Sequence, residues 1–179
     1  MIIFLGVAGS GKSTQAIRLA GFLNCRRIAV GDLLRASMKN DELQRMLAGE
    51  LIEDSKWLPL LEIKLKEAAG DEFIVDGSPR TLDQAKWLLE KARQYSLQIT
   101  AVIHLNASKD IARRRLLKRG RADDYDAAIE ERFYEYETKI LPILQYLKTH
   151  QLNIYEIDAE QTEDEVQNQI TSALGMKMK

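Results

Sequence analysis

Gly6-Val7-Ala8-Gly9-Ser10-Gly11-Lys12-Ser13 has the spacing GxxxxGK followed by Ser or Thr. It lies between an apolar run, Met1 to Leu5, and a segment in which Ala16, Ile17, Leu19, Ala20 and Leu23 recur with helical periodicity. A glycine-rich turn from a strand into a helix lets backbone N–H groups point inward around phosphate oxygens, and the helix N-terminus adds partial positive charge. In that setting Lys12 neutralises the outer phosphates and the Ser13 hydroxyl reaches a Mg2+ ion. An ordinary Gly-rich turn requires neither the lysine nor the flanking strand and helix.

Further apolar, partly β-branched runs occur at Arg27 to Val30, Glu72 to Val75, Ile99 to Leu105 and Leu152 to Ile157, giving five strand candidates with the first run. Helical periodicity fills the gaps, most clearly in Ile129, Phe133, Tyr136, Ile140, Leu144 and Leu147, from about Ser108 to Arg119, and after the Thr162/Glu165 capping box toward Leu174. The alternation predicts an α/β, three-layer phosphate-loop fold: a five-stranded parallel sheet flanked by helices, with ligands bound beyond the carboxyl ends of the strands. One domain spanning 1–179 suits the length. Two stretches depart from simple alternation. An insert at about 31–70, carrying Leu33, Leu34, Leu43, Met46, Leu47, Leu58, Leu61 and Leu65, reads as a helical flap beside the sheet. The connection at about 119–124, Arg119-Gly120-Arg121-Ala122-Asp123-Asp124, is very short.

With 26 Lys+Arg against 27 Asp+Glu, the chain has no global field that would favour nucleic acid or an anionic membrane, so any anion site must be local. The single cysteine, Cys25, allows no internal disulfide and reads as a packed apolar residue. No apolar run approaches a membrane span, and the first one ends at the glycine motif, which leaves no room for a signal peptide. A cytoplasmic, monomeric protein is the expectation.

Asp76 follows Phe73-Ile74-Val75, which puts a carboxylate at a strand's carboxyl end, where it serves either a Mg2+ beside the phosphate loop or the Asp-Gly-Ser-Pro turn. The run Arg113 to Arg121 packs six basic residues into nine positions. Arg115 and Arg119, four apart, share a helix face that excludes Arg113 and Arg114, so only part of the run is expected to face phosphate. Arg132 follows on the long helix, with Glu131 and Glu135 available as ion-pair partners.

The phosphate loop with Thr14-Gln15, Gly31-Asp32-Leu33-Leu34-Arg35, Asp76-Gly77-Ser78-Pro79-Arg80-Thr81 with Gln84-Ala85, Arg119-Gly120-Arg121 with Asp123-Asp124, and Arg132 together resemble the adenylate kinases of the nucleoside monophosphate kinase family, in their short-lid form. The motifs occur in family order along essentially the whole chain. The resemblance implies reversible phosphoryl transfer from MgATP to AMP, giving two ADP. It places Gly9, Ser10, Gly11, Lys12, Ser13 and Thr14 on the ATP phosphates, with Arg115 near ATP and Gln161 at its base. Arg35 and Arg80 would hold the AMP phosphate, Gln84 would read adenine, and Val30, Gly31, Leu51, Ile52 and Gly77 would line the AMP pocket. Arg119, Arg121 and Arg132, with Lys12 and Arg80, would clamp the transferring group. Ser13 and Asp76 would serve Mg2+, Asp76 through water.

The chain departs from the family pattern at four positions: Val30 replaces Thr, Ser78 an aromatic residue, Ser13 Gly and Ala8 Pro. Ser13 restores the general phosphate-loop pattern, whereas Val30 removes a hydroxyl beside the acceptor nucleotide. Two other functions share parts of the pattern. A UMP/CMP-type kinase would differ at the base-reading residues, and a phosphate-loop switch or ATPase would have no use for Arg35, Arg80 and Gln84.

Overall fold

In the computed structural model, residues 1–37, 53–121 and 124–176 are described. The strands are β1 (Ile2–Gly6), β2 (Arg26–Ala29), β3 (Phe73–Asp76), β4 (Ala101–Asn106) and β5 (Ile154–Asp158). They form one parallel sheet in the order β2-β3-β1-β4-β5. The described helices are α1 (Lys12–Leu23), α2 (Val30–Ser37), α3 (Asp54–Glu67), α4 (Leu82–Gln94), α5 (Lys109–Arg119), α6 (Asp126–Glu135), α7 (Leu141–Thr149) and α8 (Glu163–Ala173).

Both faces of the sheet are covered, because successive strand residues point to opposite sides and both sets are apolar. Ile3, Leu5, Phe73, Val75 and Val102 pack with Leu61 and Leu65 of α3, Leu88 of α4 and Ile143 and Leu147 of α7. Ile2, Phe4, Ile74, Ile103 and Leu105 pack on the other side with Ala16 and Leu19 of α1 and Val166 and Ile170 of α8, and the half-buried Cys25 joins this layer. A third cluster, Val7, Ala112, Leu116, Ile129 and Phe133, holds α5 and α6 against the phosphate-loop end of the sheet. In the order β2-β3-β1-β4-β5, β1 has β3 on one side and β4 on the other, and the crevice beyond their carboxyl ends is where such sheets bind ligands.

Several expected boundaries shift. Val30 is not the end of a strand but the first residue of α2, and Asp76 is the last residue of β3 rather than the residue after it, in register with Phe4 and Ala29. The long helix through residues 129–147 is interrupted by a π-helical turn, Tyr136–Ile140. There the Leu141 N–H reaches back five residues to the Tyr136 carbonyl. Pro142 follows at the start of α7, and a widened turn relieves the clash of a proline ring with the preceding turn. The part of the flap that includes Leu43, Met46 and Leu47 lies outside the described residues, as do Leu51, Ile52 and Asp123.

Candidate functional site

The phosphate loop runs from the end of β1 to the start of α1 in a shape that glycine alone tolerates at two points. A Cβ on Gly6 (φ +145°) would lie 2.4 Å from the Leu105 carbonyl oxygen, and one on Gly9 (φ +84°) would lie 2.5 Å from that of Ala112. The loop is thereby pressed between β4 and α5. Ser10 Oγ is buried inside it and has no hydrogen-bond partner among the described residues, which suits a group that completes its bonding with a ligand oxygen. Ser13 stands exposed in the first turn of α1, beside Thr14.

Lys12 folds over the loop, its Nζ donating to the Gly6 and Val7 carbonyls at 2.8 Å each. Burial lowers its pKa to about 8; the Asp76 charge opposes that shift, and Arg80, Arg119 and Arg132 reinforce it. These four residues come from three separate parts of the chain, and the lysine feels them all. Arg80 in turn is lowered by burial and by Arg132 and Arg35, against the pull of Glu135 and Asp76. So much positive charge gathered around Lys12 is unfavourable in the protein alone, and a polyanion bound there would relieve it.

Asp76 is 4% exposed, and its Oδ2 accepts from Arg27 Nε at 3.2 Å and Nη2 at 2.9 Å. Nothing in the sequence pointed to Arg27, whose partner is 49 residues away. Among the described residues both bonds fall on Oδ2.

On the opposite side of the crevice, Val30, Gly31, Arg35, Gly77 and Arg80 converge. A Cβ on Gly77 (φ +92°) would lie 3.9 Å from both Arg80 Nη2 and Val30 Cβ, and one on Gly31 would lie 3.5 Å from the Arg35 guanidinium nitrogens. Arg80 Nε donates to the Gly77 carbonyl at 3.1 Å, and Arg35 pairs with Asp32. Ser78 is buried and begins the cis Ser78–Pro79 link between Gly77 and Arg80. Gln84 sits in the first turn of α4, its backbone N–H capped by Thr81 Oγ1 at 3.2 Å. Its amide is buried; Oε1 accepts from the Arg80 N–H at 2.7 Å, and Nε2 donates to Asp54 Oδ1 at 2.7 Å.

The basic run divides as its helical phase requires. Arg113 turns to Asp126 and Glu130 of α6, away from Arg119. Arg119 makes a fork on Asp124, Nε to Oδ2 at 2.8 Å and Nη2 to Oδ1 at 2.6 Å. Arg132 reaches the same acid from α6, its Nη1 donating to Asp124 Oδ1 at 3.0 Å. The Arg121 backbone N–H completes the set, donating to Asp124 Oδ2 at 3.0 Å while its side chain stays exposed. Asp124 is fully enclosed, and although burial alone would raise its pKa, the donors from Arg119, Arg121 and Arg132 bring it down to about 2. Its place among arginines was a visible signal, but the sequence reading gave it no role.

Arg115 and Gln161 meet at the loop between β5 and α8. Arg115 donates to the Ala159 carbonyl at 2.6 Å and the Gln161 carbonyl at 3.3 Å, tying α5 to the loop between β5 and α8. The Gln161 amide bridges Asp158 and Gln169. Both side chains therefore shape the loop. Behind it, buried His104 on β4 places Nδ1 2.5 Å from Glu156 Oε2 and Nε2 2.8 Å from the Tyr136 hydroxyl, joining β4, β5 and the π turn. Burial lowers the His104 pKa, and the neighbouring Glu156 carboxylate opposes that shift.

The described residues contain no cluster of three or more His, Cys, Asp or Glu that could hold a metal by itself. No described helix is long and apolar enough to cross a membrane.

A family model described as adenylate kinase matches residues 4–152. The chain is 35% identical over 180 residues to an adenylate kinase of Corynebacterium urealyticum, covering 97% of this chain and 98% of that protein. It is also 35% identical over 181 residues to adenylate kinase 1 of Nostoc sp., and equally to an adenylate kinase of Mycobacterium tuberculosis, again over 97% of this chain and 98% of each relative.

Proposed function

This chain belongs to the adenylate kinase family, an ATP-dependent nucleoside monophosphate kinase family, and on that footing we propose how its own residues carry reversible phosphoryl transfer between ATP and AMP. The relatives' names do not favour the UMP/CMP-type alternative or a phosphate-loop switch.

The observation that carries the reading is Lys12 folded over a loop shape that only glycine tolerates, with Arg119 and Arg132 gathered on Asp124 and their charges felt at the lysine. The attacking group is an AMP phosphate oxygen, already anionic at neutral pH, so the transfer needs charge neutralisation and in-line alignment more than a general base. Lys12 and the loop from Gly9 to Thr14 hold the donor phosphates. Arg35 and Arg80 hold the acceptor phosphate, with Val30, Gly31 and Gly77 lining its pocket, and Gln84 reads the base. Arg119, Arg121 and Arg132 close on the phosphoryl group in flight, where planar guanidinium forks fix oxygen positions. Lys12 leaves the Gly6 and Val7 carbonyls for phosphate oxygens, which are stronger acceptors.

The donor set suits Mg2+: a hydroxyl on Ser13 and a carboxylate on the buried Asp76 whose bonds among the described residues fall on Oδ2, few protein ligands of the kind this ion takes alongside water and phosphate. When bound, the ion would neutralise phosphate charge. The segments at 31–70 and 119–124 act as flap and lid and keep out water, the competing nucleophile. The chain supplies every group named here, so it works as a monomer, and we place it in the cytoplasm.

The test is to incubate the protein with ATP, Mg2+ and each of AMP, CMP, UMP and GMP and to measure ADP and the product diphosphate. Two ADP per AMP consumed is expected. ATP hydrolysis without an acceptor requirement would overturn the kinase reading, and a higher kcat/KM for CMP or UMP would overturn the choice of AMP alone.

A further inference from the structure

We infer that Asp54 is a positioning residue for acceptor selection: it locks the Gln84 amide in the one orientation that suits adenine. The inference rests on the reading of Gln84 as the residue facing the acceptor base.

An amide side chain is nearly symmetric in shape, and its flip exchanges a donor for an acceptor. Gln84 offers one of each to a base. Adenine, with an N6 amino group and N1, needs the oxygen toward the amino group and the nitrogen toward N1; guanine, with O6 and N1–H, needs the reverse. Base choice therefore depends on what prevents the flip.

Two contacts prevent it. The Arg80 backbone N–H can only donate, and it lies 2.7 Å from Oε1. A carboxylate can only accept, and Asp54 Oδ1 lies 2.7 Å from Nε2. Flipping would set donor against donor at one end and acceptor against acceptor at the other, at a site where Gln84 is 5% exposed and water cannot easily compensate. Each contact uses one hydrogen or one lone pair, so one N–H and one lone pair remain for the base.

The scaffold fixes both ends of the lock. Asp54 opens α3, whose Leu61 and Leu65 are fully buried in the same core as Ala85 and Leu88 of α4. The Gln84 backbone is held by the Thr81 cap. Arg80 joins this same contact through its backbone, so the phosphate end and the base end of the acceptor site share one rigid element.

The experiment compares wild type, Gln84→Ala, Asp54→Ala and Asp54→Asn for kcat and KM with AMP, GMP, CMP and UMP, and for thermal unfolding midpoint. Gln84→Ala is expected to flatten the acceptor preference. Asp54→Ala is expected to lower kcat/KM for AMP about two- to tenfold, the scale of one hydrogen bond, mainly through KM, and to lower the AMP:GMP ratio with it. Asp54→Asn keeps a hydrogen bond to the Gln84 amide in either orientation, because the two amides can flip together, and is expected to recover KM for AMP but leave the AMP:GMP ratio low. If Asp54→Ala does not fold, Asp54→Leu makes the same comparison with the volume retained. An equal loss for all four acceptors, or a lower midpoint with an unchanged ratio, would make Asp54 a strut between α3 and α4 and overturn the proposal. An unchanged preference in Gln84→Ala would instead overturn the base-reading role of Gln84, and the proposal with it.

Discussion

Arg132 on α6 donates at 3.0 Å to Asp124 Oδ1, the same oxygen that Arg119 on α5 holds at 2.6 Å. One enclosed carboxylate thus aligns two guanidinium groups from different helices and, through a backbone bond, the start of the connection that carries Arg121. Without it, two like charges would repel one another beside Lys12.

Asp124→Asn should therefore reduce kcat about 10- to 100-fold, the cost of loosening reacting groups by an ångström or less, while the phosphate loop still binds ATP. The stability effect has a definite sign. A carboxyl whose folded pKa is depressed, here from the ordinary 3.8 to about 2, contributes stability above its unfolded pKa and loses it as pH falls through the folded value. The gap in unfolding free energy between wild type and Asp124→Asn, on the order of 1–2 kcal/mol after allowing for solvent screening at Arg119, should be present at neutral pH and shrink between about pH 4 and pH 2. Denaturant titrations across that range would refute the pairing if the gap stayed constant.

Lys12 carries a pKa of about 8 before nucleotide arrives, and phosphate oxygens should return it toward its ordinary value. ATP binding near pH 8 should then take up about half a proton, and affinity should fall as pH rises above that point. Calorimetry in buffers of different ionisation enthalpy measures the uptake. Lys12→Ala should abolish it and lose about 100-fold or more in kcat. Near wild-type turnover in that variant would remove Lys12 from the mechanism.

Arg121→Ala and Arg132→Ala should act on kcat more than on KM, by roughly 1,000-fold, as expected for charges that meet the phosphoryl group in flight. The competing role is that of surface ion pairs worth about 0–1 kcal/mol, which would leave kcat intact. Arg121 is the sharper case, because its side chain is exposed in the protein alone. Steady-state kinetics of the two variants, at saturating ATP and AMP, decide between the roles.

Val30 is 2% exposed, and a Cβ on Gly77 would lie 3.9 Å from its own Cβ, in the region proposed for the acceptor nucleotide. Val30→Thr adds a hydroxyl there and should lower the KM for AMP about two- to tenfold without changing the preferred acceptor. An unchanged or higher KM would show that the hydroxyl finds no partner on the nucleotide.

Residues close together in the sequence revealed the fold class and the family. The eight residues from Gly6 to Ser13, the five apolar runs and the order of the arginine-bearing motifs were enough for the α/β layering and the family, because periodicity and turn chemistry are local properties. The face shared by Arg115 and Arg119 was correctly separated from that of Arg113, since one helix turn sets it. The partners those side chains take were not legible. Arg27 with Asp76, Asp54 with Gln84, and His104 with Glu156 are separated by 49, 30 and 52 residues, and no local pattern distinguishes one carboxylate from another at that range. Arg132 has Glu131 and Glu135 beside it in the chain yet bonds to Asp124, because α5 and α6 pack through Leu116, Ile129 and Phe133 and bring both arginines to one buried acid. Which charged groups the chain possesses follows from its sequence; which of them share a desolvated site follows from the packing of its apolar faces, which sets their distances and removes the water that would otherwise screen them.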